Sequence, residues 1–358
     1  MAHVLRHSAR SRFRPVIWTL ILGVLGVAAD LGTSSSASAA AAVQWKKSTY
    51  TVKGSTIVIF SKPITAASPD SGILRITTSG GNLWFSENQL RTSPIVRMTP
   101  TGLATAFPLP TANAGVEAVT RGPDGNVWFT EFKRAKIGKI TPSGQITEYK
   151  TPFAPLESVD IKTGADGNLW FVTDHHGIGR ATTTGKINFF PINNNDTQPT
   201  ALTLGPNKTM WFIEWMGNNV GFITTTGKVT EFPAGLGGFS NSFGIAYGKD
   251  GRIWFADPQH HRIGAIRTNG TGLTFYRLGA TSTPDSIIAG PDGNLYFGEY
   301  GSSTAGRIGR ITTAGQITEF NLPAAQGTFP VLGLTVQGGN IWFANNAHAK
   351  VGMLKLVK

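Results

Sequence analysis

The chain of 358 residues contains no cysteine. That absence excludes disulfide frameworks, thiolate zinc sites, iron–sulfur clusters and cysteine nucleophiles, and leaves only oxygen or imidazole ligands for any metal. Charge is scarce too, at 15% of residues against about 25% in an average globular protein. What charge there is leans to one sign, with 32 Lys and Arg against 20 Asp and Glu and a formal net charge of +12. After residue 40 there is no long hydrophobic run, and no stretch keeps a 3.6-residue period long enough for a helix. The chain instead holds 44 glycines, 9 Trp and 21 Phe, with 40% hydrophobic residues. That is too apolar for a disordered chain and ample for a sizeable core, which points to an all-β protein rich in tight turns.

Residues 1–39 read as an export signal, separate from the fold. Arg6, Arg10, Arg12 and Arg14 precede an apolar run from Val16 to Ala29, and Ala37-Ser38-Ala39 supplies a small-residue cleavage motif. The apolar run is shorter than the roughly 20 residues that span a bilayer. The alternative is an uncleaved N-terminal anchor. Removing this segment takes away four Arg and Asp30, so the mature chain carries +9. Its charges are scattered singly and not interleaved with aromatics, so nucleic acid is not an expected partner. A secreted or cell-envelope location fits, because a diffuse positive surface suits a polyanionic wall.

The decisive pattern is an internal repeat. An aromatic pair recurs at Trp84-Phe85, Trp128-Phe129, Trp170-Phe171, Trp211-Phe212, Trp254-Phe255, Tyr296-Phe297 and Trp342-Phe343. A spacing in the forties is that of propeller blades. Each unit reads as four short strands; in the second, these are Glu117–Arg121, Val127–Glu131, Ile137–Ile140 and Gln145–Tyr149. Asp-Gly and Ser-Gly pairs supply the positive φ that the hairpins between them need. The Trp and Phe of each second strand point to opposite faces and are assigned to the core between blades. The last unit ends after a third strand, Val351–Leu356. Thr56–Phe60, an unattached strand ahead of the first unit, is expected to supply the missing fourth and close the ring. The sequence thus divides into a signal (1–39), an N-terminal segment (40–53) and a seven-bladed β-propeller of four-stranded blades (54–358). A closed ring needs no partner, so a monomer is expected.

The units from Gly122 to Glu131 with Ile137 to Tyr149, and from Gly290 to Glu299 with Arg307 to Phe320, resemble the blades of the streptogramin (virginiamycin B) lyases. The resemblance covers residues 54–358. It implies a seven-bladed propeller that opens a cyclic depsipeptide by magnesium-dependent elimination at an ester, with a histidine base opening the inner strand of the last blade. It also implies a glutamate shortly after that blade's Trp-Phe, and a second histidine opening the preceding blade's inner strand. A base must remove a carbon-bound proton while a cation holds the developing enolate. Here the corresponding segment is Thr328-Phe329-Pro330-Val331-Leu332-Gly333-Leu334, with Leu332 in the base position. The glutamate position falls at Asn346, and Asp285 stands in the place of the second histidine. Leucine accepts no proton, and asparagine is a weaker magnesium ligand than a carboxylate.

One face of such a ring is built from the loops before the inner strands and after the second strands. All five histidines outside the leader, His175, His176, His260, His261 and His348, fall in the latter loops. They are read as solvated loop residues or as a pH-sensitive or metal-binding rim. Glu87, Glu131, Glu214, Asp257 and Glu299 all stand three residues after the first aromatic, with Thr173 and Asn345 in the other two units. Their repetition suggests a structural task such as accepting backbone N–H bonds from the next loop. Glu117 and Asp285 are blade-specific acids at inner-strand starts, and with Asn346, Trp215, Tyr300 and His348 they form the candidate ligand-binding set. No catalytic or metal residue is assigned. The expected function is a propeller holding a small molecule or glycan on this face. The alternatives are a magnesium- or calcium-dependent enzyme, as a diverged carbon–oxygen lyase or a lactonase-like hydrolase using Glu117, Asp285 and Asn346, and a platform for protein interaction.

Overall fold

The computed structural model describes residues 33–36, 39, 41–63, 72–88, 93–152, 158–173, 177–192, 198–215, 217–236, 244–299, 306–323, 330–346 and 349–356. Seven antiparallel sheets follow one another along the chain, and among the described residues there is no α-helix. Blade two comprises Val116–Arg121, Val127–Glu131, Lys136–Ile140 and Gln145–Lys150, within a residue of the strands read from the sequence. The inner strands of the other blades are Gly72–Ser79, Ser158–Thr163, Pro199–Leu204, Ile245–Tyr247, Pro284–Ala289 and Val331–Gln337.

The recurring aromatics are the joints between blades. Trp84 of blade one shares a buried cluster with Phe129 of blade two, and the pairing repeats around the ring as Trp128 with Phe171, Trp170 with Phe212, Trp211 with Phe255, Trp254 with Phe297 and Tyr296 with Phe343. It closes with Trp342 against Phe85. The indole N–H groups find acceptors in the lower turns: Trp128, Trp170 and Trp254 donate to Asp124, Asp166 and Asp250 at 3.1, 3.0 and 3.1 Å. The Phe rings of blades two to seven have room because each faces a glycine on the third strand, whereas in blade one Phe85 lies opposite Val96. A Cβ at Gly138 would lie 2.2 Å from Phe129, closer than any real contact, so this position admits no side chain.

The ring closes as the sequence suggests. Ser55–Ser61 pairs with Lys350–Lys355 as the fourth strand of blade seven, with Phe60 opposite Val351 and Ile57 opposite Leu354. The fold also reaches further toward the N-terminus than the sequence division places it. Lys46–Val52 folds back on Ser55–Ser61 as a fifth strand. The two-residue turn between them has both residues at positive φ, Lys53 at 47° and Gly54 at 75°, the geometry whose twist matches a tight hairpin. Val43–Gln44 adds to the outer edge of blade one. Thr33–Ser36, inside the segment read as a leader, adds to the outer edge of blade two. In Lys46–Val52 the half-buried Ser48, Tyr50 and Val52 alternate with the exposed Lys47, Thr49 and Thr51, as in a strand with one face in water. Among the described residues no helix is long and apolar enough to cross a membrane.

Candidate functional site

The upper face, where inner strands begin and second strands end, is shaped by one backbone device. In six blades the inner strand slips register against the second strand near its start: between Ile73 and Ile76 in blade one, opposite Phe129 and Glu131 in blade two, and between Ser158 and Asp160, Pro199 and Ala201, Pro284 and Ser286, and Val331 and Gly333 in blades three, four, six and seven. A β-bulge re-aims the side chain of the extra residue. The residues within these slips include Arg75, Glu117, Val159, Thr200, Asp285 and Leu332, so one turn of backbone presents six different side chains around the channel.

Two of the charged residues among them meet. Arg75 Nη1 donates to the carboxylate of Asp285 at 3.3 Å and to the carbonyl oxygen of Leu332, which ties blade one to blades six and seven. Burial raises the carboxyl group of Glu117, while the Arg75 guanidinium and Lys133 oppose that rise. Burial likewise raises Asp285 against the pull of the same guanidinium. At both acids burial outweighs the guanidinium, so each carboxyl group stays above the usual carboxylate range. Below it the channel opens into a cavity of about 260 Å³ lined by Arg75, Leu332, Asp160 and Lys162 among others. There Asp160 accepts from Lys162 Nζ at 2.6 Å and from the backbone N–H of Leu202 at 2.9 Å.

The remaining candidates are dispersed. Asn346 packs its side-chain oxygen into the space that a Cβ at Gly72 would fill, and its N–H donates to Pro330 at 3.2 Å. Trp215 is half-buried on blade four, its N–H donating to Gln198 at 2.8 Å. Tyr300, His348, His175 and His176 lie outside the described residues. His260 Nδ1 lies 3.0 Å from the Asp257 carboxylate, and His261 Nδ1 lies 2.6 Å from the Ser282 carbonyl of the next blade's approach loop. Sequence reading passed over Arg75, Asp160 and Lys162. The signal for them was that charge on the inner strands is confined, among described residues, to these three with Glu117, Arg121 and Asp285.

The repeated acids need a correction. Among the described residues no backbone N–H donates to Glu131, Glu214, Asp257 or Glu299; the first residue of the third strand stands beside each instead, a cation in blades two, five and six and Asn219 in blade four. Asp257 accepts from Arg262 Nε at 2.6 Å, and Glu299 lies 2.9 Å from Arg307 Nη2. The ladder already occupies the neighbouring N–H groups, so the side chains turn to each other. Glu131 is wholly buried with neither oxygen hydrogen-bonded, and burial, with the Glu148 carboxylate beside it, pushes its pKa up to about 8. Burial works against ionisation of Glu148 as well, but Lys136 and Thr111 more than offset it and hold this acid low.

A closed ring of seven four-stranded antiparallel sheets defines a seven-bladed β-propeller. The family model of the virginiamycin B lyases matches residues 54–237 and 238–357, and the chain belongs to that family. It is 32% identical to the virginiamycin B lyase of Nocardia farcinica over 168 residues, 47% of this chain and 55% of that protein, so it spans about half the length of that curated relative. A streptogramin B lyase structure superposes with a TM-score of 0.75 at 32% identity, over 84% of this chain and 97% of that one. A catalytically inactive variant of the Staphylococcus aureus virginiamycin B lyase with quinupristin gives 0.73 at 31%, over 84% of this chain and 100% of that one.

Proposed function

We propose that this protein is an exported member of the family that holds a small molecule or glycan at the channel mouth between Glu117, Arg75 and Asp285, and that it does not carry out the family's metal-assisted elimination. The observation that carries this reading is Arg75, whose guanidinium bonds to Asp285 and to the carbonyl of Leu332. A magnesium ion does not fit this donor set. Asp285 is already neutralised by a fixed cation, Asn346 is packed against Gly72, and among the described residues no three acidic or imidazole groups gather to hold a metal. Leu332, at the expected base position, offers only its carbonyl. A mouth of two acids and one guanidinium suits a hydroxyl- or amide-bearing ligand that can both donate and accept hydrogen bonds, which the family's depsipeptides and wall glycans both provide.

Incubation with quinupristin, followed by chromatography and mass spectrometry, tests the catalytic half. The macrocycle is expected to remain intact; an isomer of unchanged mass at a new retention time would be the elimination product and would overturn the reading. Thermal shift with quinupristin and with N-acetylglucosamine oligomers tests the binding half. Stabilisation should be weakened in Glu117→Gln and Asp285→Asn, and a shift by neither probe, or an equal shift in both variants, counts against the mouth.

A further inference from the structure

The repeat supplies its own control for the buried acids. In blades two, three, five, six and seven the last residue of the second strand lies across the ladder from the first residue of the third, as in Glu131 with Lys136 and Glu299 with Arg307. Two residues in from its far end the outer strand adds another acid on the same face, Glu148 in blade two, Glu231 in blade four and Glu319 in blade six, each opposite a third-strand glycine. In blade two the cation between the acids is Lys136, 2.7 Å from Glu148. In blade six it is Arg307, 2.9 Å from Glu299 and 3.4 Å from Glu319.

Blade four keeps both acids and lacks the cation. Its third strand begins with Asn219, whose Nδ2 donates to Glu214 Oε2 at 3.0 Å. Glu214 is 0% exposed, and among the described residues its Oε1 and the buried Oε1 of Glu231 meet no donor group; the two acids are close enough to hydrogen-bond to each other through a shared proton. No ion pair to either acid forms among the described residues, and the flanking segments 193–197, 216 and 237–243 contain no Lys, Arg or His. Burial, with the second acid beside it, pushes Glu214 up to about 9. Asn219 and Glu231 are only half-buried, so the pair can be reached from outside.

We propose that blade four binds a small divalent cation of the calcium type between Glu214, Glu231 and the amide oxygen of Asn219, in the place that Lys136 and Arg307 fill in blades two and six. Two carboxylates and an amide form a hard all-oxygen set, and calcium tolerates the irregular geometry and completes its shell with water, where magnesium demands an octahedron. A half-turn of the Asn219 amide presents its oxygen, the exchange that hydrogen-bond partners decide. With three protein ligands the affinity expected is that of extracellular modules, in the range of about 0.1 to 1 mM.

Terbium, a luminescent calcium mimic, reports on the site in the full chain, because Trp211 and Trp215 flank Glu214 in sequence and can sensitise its emission. Tryptophan-excited emission is expected in the wild type and should be displaced by calcium. Asn219→Lys supplies the blade-two cation in place of the ion; it should fold, melt at least as high as the wild type and lose terbium affinity at least tenfold. The Glu214→Gln, Glu231→Gln double variant should lose it as well. The Glu117→Gln, Asp285→Asn variant should retain it, which separates this site from the channel mouth. Absence of emission and of any calcium-induced melting shift in the wild type overturns the proposal, as does undiminished binding by Asn219→Lys.

Discussion

Replacing Glu131 with glutamine isolates the energetic consequence of burying an acid between blades. In the fold this carboxyl group titrates near 8, raised first by burial and then by Glu148, against 4.5 for an unperturbed glutamate. Between those values the folded protein holds a proton that the unfolded chain has released. The stabilisation is therefore fully present below about pH 4.5 and is lost as pH rises toward 8, above which the slope vanishes. One proton of difference is worth about 1.4 kcal/mol per pH unit. From pH 5.5 to 7.5 the wild type should lose about 2.5 kcal/mol through this group alone. Glutamine does not titrate. The stability difference, Glu131→Gln minus wild type, should therefore grow by that amount over the same interval, about 5 °C in melting midpoint at the roughly 2 °C per kcal/mol expected of a large domain. Melting followed by circular dichroism at pH 5.5, 6.5 and 7.5, at fixed ionic strength with chelator present, reads the slope independently of any constant offset from the amide. Parallel curves for the two proteins would refute the argument.

Other expectations follow from packing. Gly138→Ala places a methyl group 2.2 Å from the Phe129 ring, and overpacking of this kind should cost about 1–3 kcal/mol or more, measured by urea unfolding; an unchanged midpoint would mean that the glycine is not required there. Ile59, 1% exposed in the closing strand and packed in the cluster of Tyr296 and Phe343, should cost about 2–5 kcal/mol when changed to alanine. Deleting residues 43–62 should lower the melting temperature of the whole ring, since both edges of the break would be left unpaired. A deletion protein that melts like the intact chain would show that closure by Ser55–Ser61 is dispensable.

The parts of the fold legible in the sequence are those that packing forces to repeat. Trp128 and Phe129 recur in every blade, as tryptophan or tyrosine followed by phenylalanine, because every interface needs a large ring on each side. Asp124, Asp166, Asp250 and Asp292 recur because an indole or phenol must be satisfied from the turn below. Lys46–Val52 escaped notice because a strand packed on one face only, and polar on the other, lacks both the aromatic pair and the turn signature. Arg75 escaped for a different reason. Its partner Asp285 lies 210 residues away, and what brings them together is the curvature of the ring, which no local pattern encodes. Glu117 and Asp285 were visible as acids at inner-strand starts, but the cation between them was not.

The same comparison between blades separates what the fold requires from what it merely permits. The slipped register at the start of the inner strand occurs in six blades, so it belongs to the architecture. The side chains it presents are arginine, glutamate, valine, threonine, aspartate and leucine, so no packing rule dictates them. Of these six, Arg75 and Leu332 line the central cavity, while Val159 packs into the joint with blade four and Thr200 donates to the Ile213 carbonyl. The acids at the ends of the second strands behave in the opposite way. They recur because each interface has the same carboxylate–cation geometry, and the exceptions are informative: blade four keeps two acids without a cation, and in blade seven Lys350 faces the neutral Asn345. Burial lowers the Lys350 ammonium as it raises Glu214, and the signs oppose because desolvation penalises whichever form is charged. Adding a cation at Asn219 should accordingly stabilise the ring most at alkaline pH, where Glu214 would otherwise be ionised without a counter-charge. An Asn219→Lys protein that gained nothing over the wild type between pH 7 and 9.5 would show that the blades do not obey a common charge rule.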